Sequence, residues 1–138
     1  MAYSLLYVSK TLLERPEAEA EEQTILAAAA ARNARLGVTG ALLSTGTYFA
    51  QLLEGEQDAV EALMSSIDAD ARHMRIKIIR TADEARRFAG SPLAYSGQAS
   101  VADRHIAPFF SPLPQGDAAH LALRLAGLME EFVRLPQA

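Results

Sequence analysis

The order of strand-like and helix-like segments constrains the fold of this chain more than any other feature. Strand patterns lie at 3–9, 38–44, 48–53 and 75–80. An Ala- and Glu-rich stretch at 19–35 predicts a helix between the first two strands, because both residues favour helices. Apolar residues recur at i, i+3, i+4 and i+7 from Val60 to Ile67, which predicts a helix between the third and fourth strands.

This β-α-β-β-α-β order is typical of the split βαβ, ferredoxin-like arrangement, an α+β fold. We expect an antiparallel sheet with both helices on one of its faces. A short helical or turn segment is expected at 83–88, and a fifth strand within 93–101. Pro108, Pro112 and Pro114 then predict a break in regular structure.

The last part of the chain is predicted to be a helical extension. Its apolar residues at helical spacing are Leu121, Leu125, Leu128 and Phe132. The sequence leaves open whether this stripe covers the other face of the sheet or pairs with a second copy of the chain. We therefore divide the chain into a domain at 1–100 and an extension at 101–138.

Composition excludes several classes of function. A net charge of −4 gives no electrostatic basis for binding nucleic acid or anionic membranes. The absence of cysteine excludes disulfides and thiolate catalysis and fits a cytoplasmic protein. No apolar run approaches the roughly 18 residues of a membrane span, and we expect no signal peptide. The three histidines lack metal-ligand spacing, so no metal site is predicted.

Two polar residues fall in rows that the strand pattern makes apolar. Gln51 shares a face of its strand with Phe49 and Leu53, and Tyr7 shares one with Leu5. A buried amide needs hydrogen-bond partners, or it costs roughly 1–3 kcal/mol. The two side chains could simply bond to each other or to the backbone. They could instead line a pocket for a flat, polar ligand, and the residues alone leave both interpretations open.

Two further polar residues allow a structural or a functional interpretation. Asn33 lies at the end of the first predicted helix, where it could contact a ligand or serve as an ordinary helix-terminal residue. Glu54 suggests a catalytic carboxylate, but no partner acid is evident. For Glu54 a role in a turn or in capping a helix is favoured.

Four segments together resemble the BLUF domains, blue-light sensors that use flavin. They are LLYVS at 5–9, RNARLGVTG at 32–40, YFAQLLEG at 48–55 and DARH at 70–73. They occur in the family's order and at similar spacing over residues 3 to 93. The resemblance implies the ferredoxin-like fold, with a flavin ring held between the two helices.

The resemblance also implies roles for individual residues. It assigns the photoactive tyrosine to Tyr7 and the switching glutamine to Gln51. It assigns the asparagine that binds the flavin carbonyl edge to Asn33. Arg72 and His73 match positions that line or border the flavin, and Arg32 takes a more variable position beside the asparagine. Apolar residues suggested to enclose the flavin faces are Ile25, Phe49, Leu53 and Leu63.

The function implied is photoreception without turnover of a substrate. The expected cofactor is non-covalent FAD, with FMN or riboflavin as alternatives. Light would drive an electron and a proton from Tyr7 and leave the hydrogen bonds of Gln51 rearranged. The competing hypotheses are a flavin-free interaction or oligomerisation module and, with less support, a small acylphosphatase-like hydrolase.

The chain departs from the family on the fifth strand. Ser91 stands where much of the family has tryptophan, and Leu93 where it has methionine, with Pro92 between them. Light sensing at Tyr7 and Gln51 should survive this departure, whereas it puts the family's route from flavin to surface in doubt. The output is expected to be contact with a downstream protein or a change of self-association in a homodimer or higher oligomer.

Overall fold

The computed structural model describes residues 1–11, 17–69, 73–96, 100–110 and 118–134. The main elements are β1 (Ala2–Thr11), α1 (Glu17–Arg35), β2 (Thr39–Ser44), β3 (Tyr48–Gly55), α2 (Gln57–Asp68), β4 (His73–Glu84), β5 (Ala94–Ser96), α3 (Asp103–Ile106) and α4 (Ala118–Arg134). Within these described residues, no helix is long and apolar enough to cross a membrane.

The five strands form one mixed sheet in the order β4-β1-β3-β2-β5. β1 lies between β3 and β4 and is antiparallel to both, and β2 is antiparallel to β3. β5 is parallel to β2 at the edge. The first four strands therefore have the split βαβ arrangement, which confirms the predicted ferredoxin-like fold. α1 and α2 each connect two parallel strands, and because such crossovers are right-handed in nearly all proteins, both helices lie on the same face.

The helix-covered face of the sheet has its own apolar core. Leu5 and Tyr7 of β1 and Leu53 of β3 pack there against the apolar stripe of α2. That stripe is the one predicted from periodicity, and all four of its members are buried: Val60, Leu63, Met64 and Ile67. Alternation along β1 and β3 thus sends one set of side chains to this core and the next set to the opposite face.

The opposite face is covered by the C-terminal helix. Leu6 and Leu52 of the sheet pack in one cluster with Leu125 and Met129 of α4. Leu125 is 1% exposed and Met129 is fully buried. Of the two placements that the sequence left open, the structure shows α4 on the chain's own sheet.

Three local expectations were met only in part. Residues 83–88 are not helical, because β4 continues to Glu84 while it pairs with the start of β1, but a bend follows at 87–88, in keeping with the turn alternative. A fifth strand lies where it was expected but is only Ala94–Ser96. Pro112 and Pro114, where a break was expected, lie outside the described residues. Regular structure does not stop at Pro108, since α3 lies between two short 3-10 helices. Pro108 is tolerated near the start of the second of these, where its missing N–H has no helical partner to lose.

β4 forms one edge of the sheet and is irregular. Its pairing with β1 shifts register twice, opposite Leu6/Tyr7 and Val8/Lys10. At the second shift, between Met74 and Lys77, Arg75 has a φ of 56°, an uncommon value for a residue other than glycine. Such bulges interrupt the regular hydrogen-bonding edge that another strand could extend, so this long edge strand is protected from pairing.

Candidate functional site

Tyr7 and Gln51 face each other across the central strand pair. The antiparallel register places Tyr7 of β1 directly opposite Gln51 of β3. The Tyr7 hydroxyl donates a hydrogen bond to Oε1 of Gln51. The two residues are only 1% and 6% exposed. The pairing satisfies two polar groups in the core, and it leaves Nε2 as the donor end of the amide side chain.

The surroundings of this pair are apolar. Tyr7 belongs to the same buried cluster as Leu53 and Leu63, and Phe49 is also buried. Leu53, Leu63 and Phe49 are three of the four residues suggested to enclose a flat ligand. The side chain of the fourth, Ile25, lies outside the described residues. An environment of this kind strengthens any hydrogen bond that the pair makes, because it excludes the screening effect of water.

Asn33 is not needed to end α1. Gly37 has a φ of 69°, and its N–H donates to the carbonyl of Ala34 while the N–H of Val38 donates to the carbonyl of Asn33. This pattern is a Schellman motif, in which glycine supplies the left-handed residue. The side chain of Asn33 is therefore released from the helix-terminal role that the sequence left open.

The Asn33 side chain instead makes a long-range contact. It is 1% exposed, and its Nδ2 donates to the carbonyl oxygen of Pro92 at 2.9 Å. The N–H of Gly40 donates to the neighbouring carbonyl of Ser91 at 3.1 Å. These two bonds hold the segment that departs from the family pattern against the end of α1 and the start of β2.

Arg32 carries a buried polar atom that lacks a hydrogen-bond partner among the described residues. The atom is Nε, in a side chain that is otherwise partly exposed. Leaving such a donor unsatisfied costs about 1–3 kcal/mol. A bound group with carbonyl or imide acceptors along one edge would supply the missing partner, so Arg32 and Asn33 fit the polar edge of a flavin.

The other two predicted contacts are not placed by the structure. Arg72 lies outside the described residues. His73 begins β4, where its backbone is opposite Thr11, but its side chain also lies outside the described residues. Within the described parts of the chain, no group of three His, Asp or Glu side chains could hold a metal ion.

Glu54 anchors the bend that follows β4; the sequence favoured a role in a turn or a helix cap but did not reveal which segment it holds. The side chain is fully buried. Its Oε2 accepts the N–H of Arg87 at 2.6 Å, and its Oε1 accepts the N–H of Phe88 at 3.1 Å. The hydroxyl of Thr39 donates to Oε1 at 3.1 Å. Glu54 does not cap a helix, since Glu56 occupies the N-terminal cap of α2.

The guanidinium group of Arg86 also binds beside Glu54, next to this bend. Nη1 of Arg86 lies 3.0 Å from the carbonyl oxygen of Gly37, 3.0 Å from the hydroxyl of Thr39 and 3.3 Å from the carbonyl oxygen of Glu54. A glutamate at a core-facing position of an alternating strand was the signal that could have pointed to this anchor. Its backbone partners at Arg87 and Phe88, 33 and 34 residues away, had no such signal.

Most of the chain matches one family model. Residues 2–93 match the model of the sensors of blue light using FAD, named BLUF. The matched stretch includes both photoactive candidates and Asn33. Over 89 residues the chain is also 36% identical to the blue light- and temperature-regulated antirepressor BluF of Escherichia coli (strain K12). That alignment covers 64% of this chain and 22% of the antirepressor. The matches span no more than 22% of the length of any of the curated relatives compared.

Solved structures extend the likeness to the whole chain. The photo-activated state of BlsA superposes with a TM-score of 0.76 at 25% identity, covering 100% of this chain and 99% of BlsA. The dark-state structure of BlrB, a BLUF protein, gives a TM-score of 0.67 at 33% identity, covering 92% of this chain and 96% of BlrB. The likeness to BlsA thus includes the C-terminal part of the chain, beyond the residues of the family model.

Proposed function

The chain belongs to the BLUF family of blue-light sensors, and from this premise we propose that it is a photoreceptor that signals through hydrogen bonds of Tyr7 and Gln51. The observation that supports the proposal is the buried hydrogen bond between these two side chains. It joins an oxidisable phenol to an amide that can both donate and accept. No step in this function consumes a substrate, so we propose that the chain is not an enzyme.

The proposed cofactor is FAD, bound without a covalent bond, and its isoalloxazine ring would lie between α1 and α2. Asn33 and Gln51 would hold the polar edge of the ring, with Arg32 beside them. Arg72 and His73 are proposed to border the site on the strength of the family resemblance. FMN and riboflavin share the ring and would fit the same contacts, so mass spectrometry of the released cofactor decides among the three.

When bound, flavin supplies absorption of blue light and an acceptor for one electron. Tyr7 would give that electron, and its hydroxyl proton would move along the existing bond to Oε1 of Gln51. When electron and proton return, the Gln51 side chain is left rotated or tautomerised. Its donor and acceptor ends are then exchanged, so Tyr7 and the bound ring meet a different hydrogen-bond pattern. This change would redden the absorption without forming a covalent bond.

An absorption spectrum taken before and after blue illumination tests the proposal. We expect yellow protein whose spectrum shifts to the red and recovers in the dark. Gln51→Leu and Tyr7→Phe should each retain flavin and lose the shift. A normal photocycle in either variant would contradict the mechanism. A colourless protein that cannot take up added flavin would instead support the flavin-free interaction module.

Binding of the cofactor can be tested separately from the photocycle. Asn33→Ala should weaken the affinity for flavin, because the amide at the polar edge is lost. Asn33 also holds the carbonyl of Pro92, so the urea midpoint of the flavin-free Asn33→Ala variant is measured as well, to separate loss of the ring contact from loss of this backbone contact. Unchanged flavin affinity in Asn33→Ala would rule out the proposed contact.

The output is proposed to be a change in contact with another protein or in self-association as a homodimer or higher oligomer. A cytoplasmic location is proposed with it. Size-exclusion chromatography in the dark and under blue light tests the second of these outputs. The replacement of tryptophan and methionine by Ser91 and Leu93 implies that the signal leaves the site by another route.

A further inference from the structure

Arg87 connects the central sheet to the C-terminal helix by two different contacts. Its backbone N–H is held by the buried carboxylate of Glu54 on β3, at 2.6 Å. Its guanidinium Nη1 binds Oε1 of Glu130 on α4, at 2.8 Å. Arg87 is thus bound by a carboxylate of β3 through its backbone and by a carboxylate of α4 through its side chain.

Glu54 also places this connection close to the proposed light-sensitive amide. Gln51 and Glu54 are three positions apart on β3, and the alternation of a strand directs them to opposite faces. Gln51 faces the helix-covered side with Leu53, whereas Glu54 shares the side of Leu52, which packs in the cluster with α4. A displacement of β3 caused at Gln51 would therefore reach Arg87 on the other face.

The two contacts of Arg87 differ in how easily they can break. The Glu54 carboxylate is fully buried, and breaking its bonds would leave backbone donors unpaired in the core. The side chains of Arg87 and Glu130 are 20% and 28% exposed, so water reaches this contact and breaking it should cost less than breaking the bonds of Glu54. The ion pair is thus the part of the connection suited to switching.

A neighbouring carboxylate gives the guanidinium an alternative partner. Oε2 of Glu84 lies 3.5 Å from Nε of Arg87, and Glu84 is itself held by Arg80 at 2.8 Å. A small movement of the 87–88 backbone would therefore let the guanidinium pair with Glu84 alone. The guanidinium would then have two alternative pairings, one with Glu130 and one with Glu84 alone, and a signal could shift the population from one to the other.

We propose that the Arg87–Glu130 ion pair is the latch through which a light-driven change on β3 releases helix α4. The inference rests on the proposed photoreceptor function and gives it a route to the surface that needs neither tryptophan nor methionine on the fifth strand. Arg87 is a positioning residue in this route, since it acts on α4 through Glu54 and Glu130.

Hydrogen–deuterium exchange of the flavin-loaded full chain, in the dark and under blue light, tests the latch. The variant is Glu130→Gln, and the matched control is Glu131→Gln at the exposed neighbouring position. In the parent and in the control, illumination should increase amide exchange across 118–134. In Glu130→Gln this light-minus-dark difference should be lost, with exchange already raised in the dark and the red shift of the absorption intact. Glu130→Asp should restore part of the difference.

The outcomes separate the latch from the photoreceptor function. An unchanged light-minus-dark difference in Glu130→Gln overturns the latch. So does a parent protein that shows the red shift but no change across 118–134. A parent protein without any red shift overturns the photoreceptor function, and the latch falls with it. Loss of the red shift in Glu130→Gln alone would also count against the latch, because the ion pair should act after the photochemistry.

Discussion

Replacing Glu54 by glutamine should destabilise the protein although it removes no side-chain atom from the core. The carboxylate acts as an acceptor at both oxygens, with the Arg87 N–H on Oε2 and the Phe88 N–H and Thr39 hydroxyl on Oε1. In Glu54→Gln one of these oxygens becomes an NH2 group. Whichever way the amide is oriented, a donor then faces at least one backbone donor.

The expected fall in the free energy of unfolding is estimated for the amide orientation that loses fewer hydrogen bonds. With the amide oxygen at Oε1, only the bond from Arg87 is lost, and its N–H and the new NH2 group oppose each other. A hydrogen bond to a charged group contributes about 1.5–3 kcal/mol, and an unsatisfied buried donor costs about 1–3 kcal/mol. Since these estimates overlap, we expect the free energy of unfolding to fall by about 2–3 kcal/mol.

Urea unfolding followed by far-ultraviolet circular dichroism measures this change, and the chain has no tryptophan to report by fluorescence. Glu61→Gln is the matched control, because Glu61 is exposed and accepts one hydrogen bond from Gln57 at 2.8 Å. Such a helical i, i+4 pair contributes only about 0.2–0.5 kcal/mol. If the two variants lower the unfolding free energy equally, Glu54 is not the anchor described above.

Four further predictions concern packing and charge. Gly40→Ala would place a Cβ 1.9 Å from the carbonyl oxygen of Leu52, and such overpacking should cost about 2 kcal/mol or more in urea unfolding. Gly127→Ala meets no atom within 4 Å in α4 and should stabilise by about 0.5–1 kcal/mol. Leu125→Ala should cost about 2–5 kcal/mol through the cavity that it leaves, whereas exposed Leu123→Ala should stay within about 0.5 kcal/mol; equal effects would contradict the packing of α4. The hydrogen bond from Arg80 lowers the pKa of Glu84 to about 2, so the stabilisation from Glu84 is present above the carboxyl's unfolded pKa and is lost as pH falls towards 2. Urea midpoints of the parent and Glu84→Gln should therefore differ at pH 7 and converge near pH 2, and a difference independent of pH would refute the assignment.

The elements found correctly from the sequence are those with a strong local pattern. The apolar stripe from Val60 to Ile67 predicts α2 because its period follows from one helix packing on one surface. The strand patterns at 38–44 and 48–53 correspond to β2 and β3, and in the turn between them the N–H of Thr45 donates to the carbonyl of Tyr48. Each of these signals lies within a few residues of the element that it predicts.

The features that the sequence did not predict depend on contacts between residues far apart in the chain. β4 was predicted at 75–80 but runs from His73 to Glu84, because it pairs along the length of β1. The anchoring role of Glu54 depends on backbone N–H groups 33 and 34 residues away. Such contacts leave no pattern in the sequence, because almost every residue type has a backbone N–H. The same holds for the carbonyl of Pro92, to which Asn33 donates.

The arrangement of β3 suggests why a sensor of this kind can lack a signalling tryptophan. Gln51 and Glu54 are separated by about 10 Å of strand, since each residue rises about 3.3 Å. The pairing of β3 with β1 and β2 on either side disfavours local bending of the strand. On the proposed route, a shift imposed at Gln51 would be shared by Glu54 and by the backbone at 87–88 that it holds. The bonds of the buried Glu54 carboxylate would then persist while the partly exposed ion pair of Arg87 with Glu130 breaks, because water reaches the ion pair more easily.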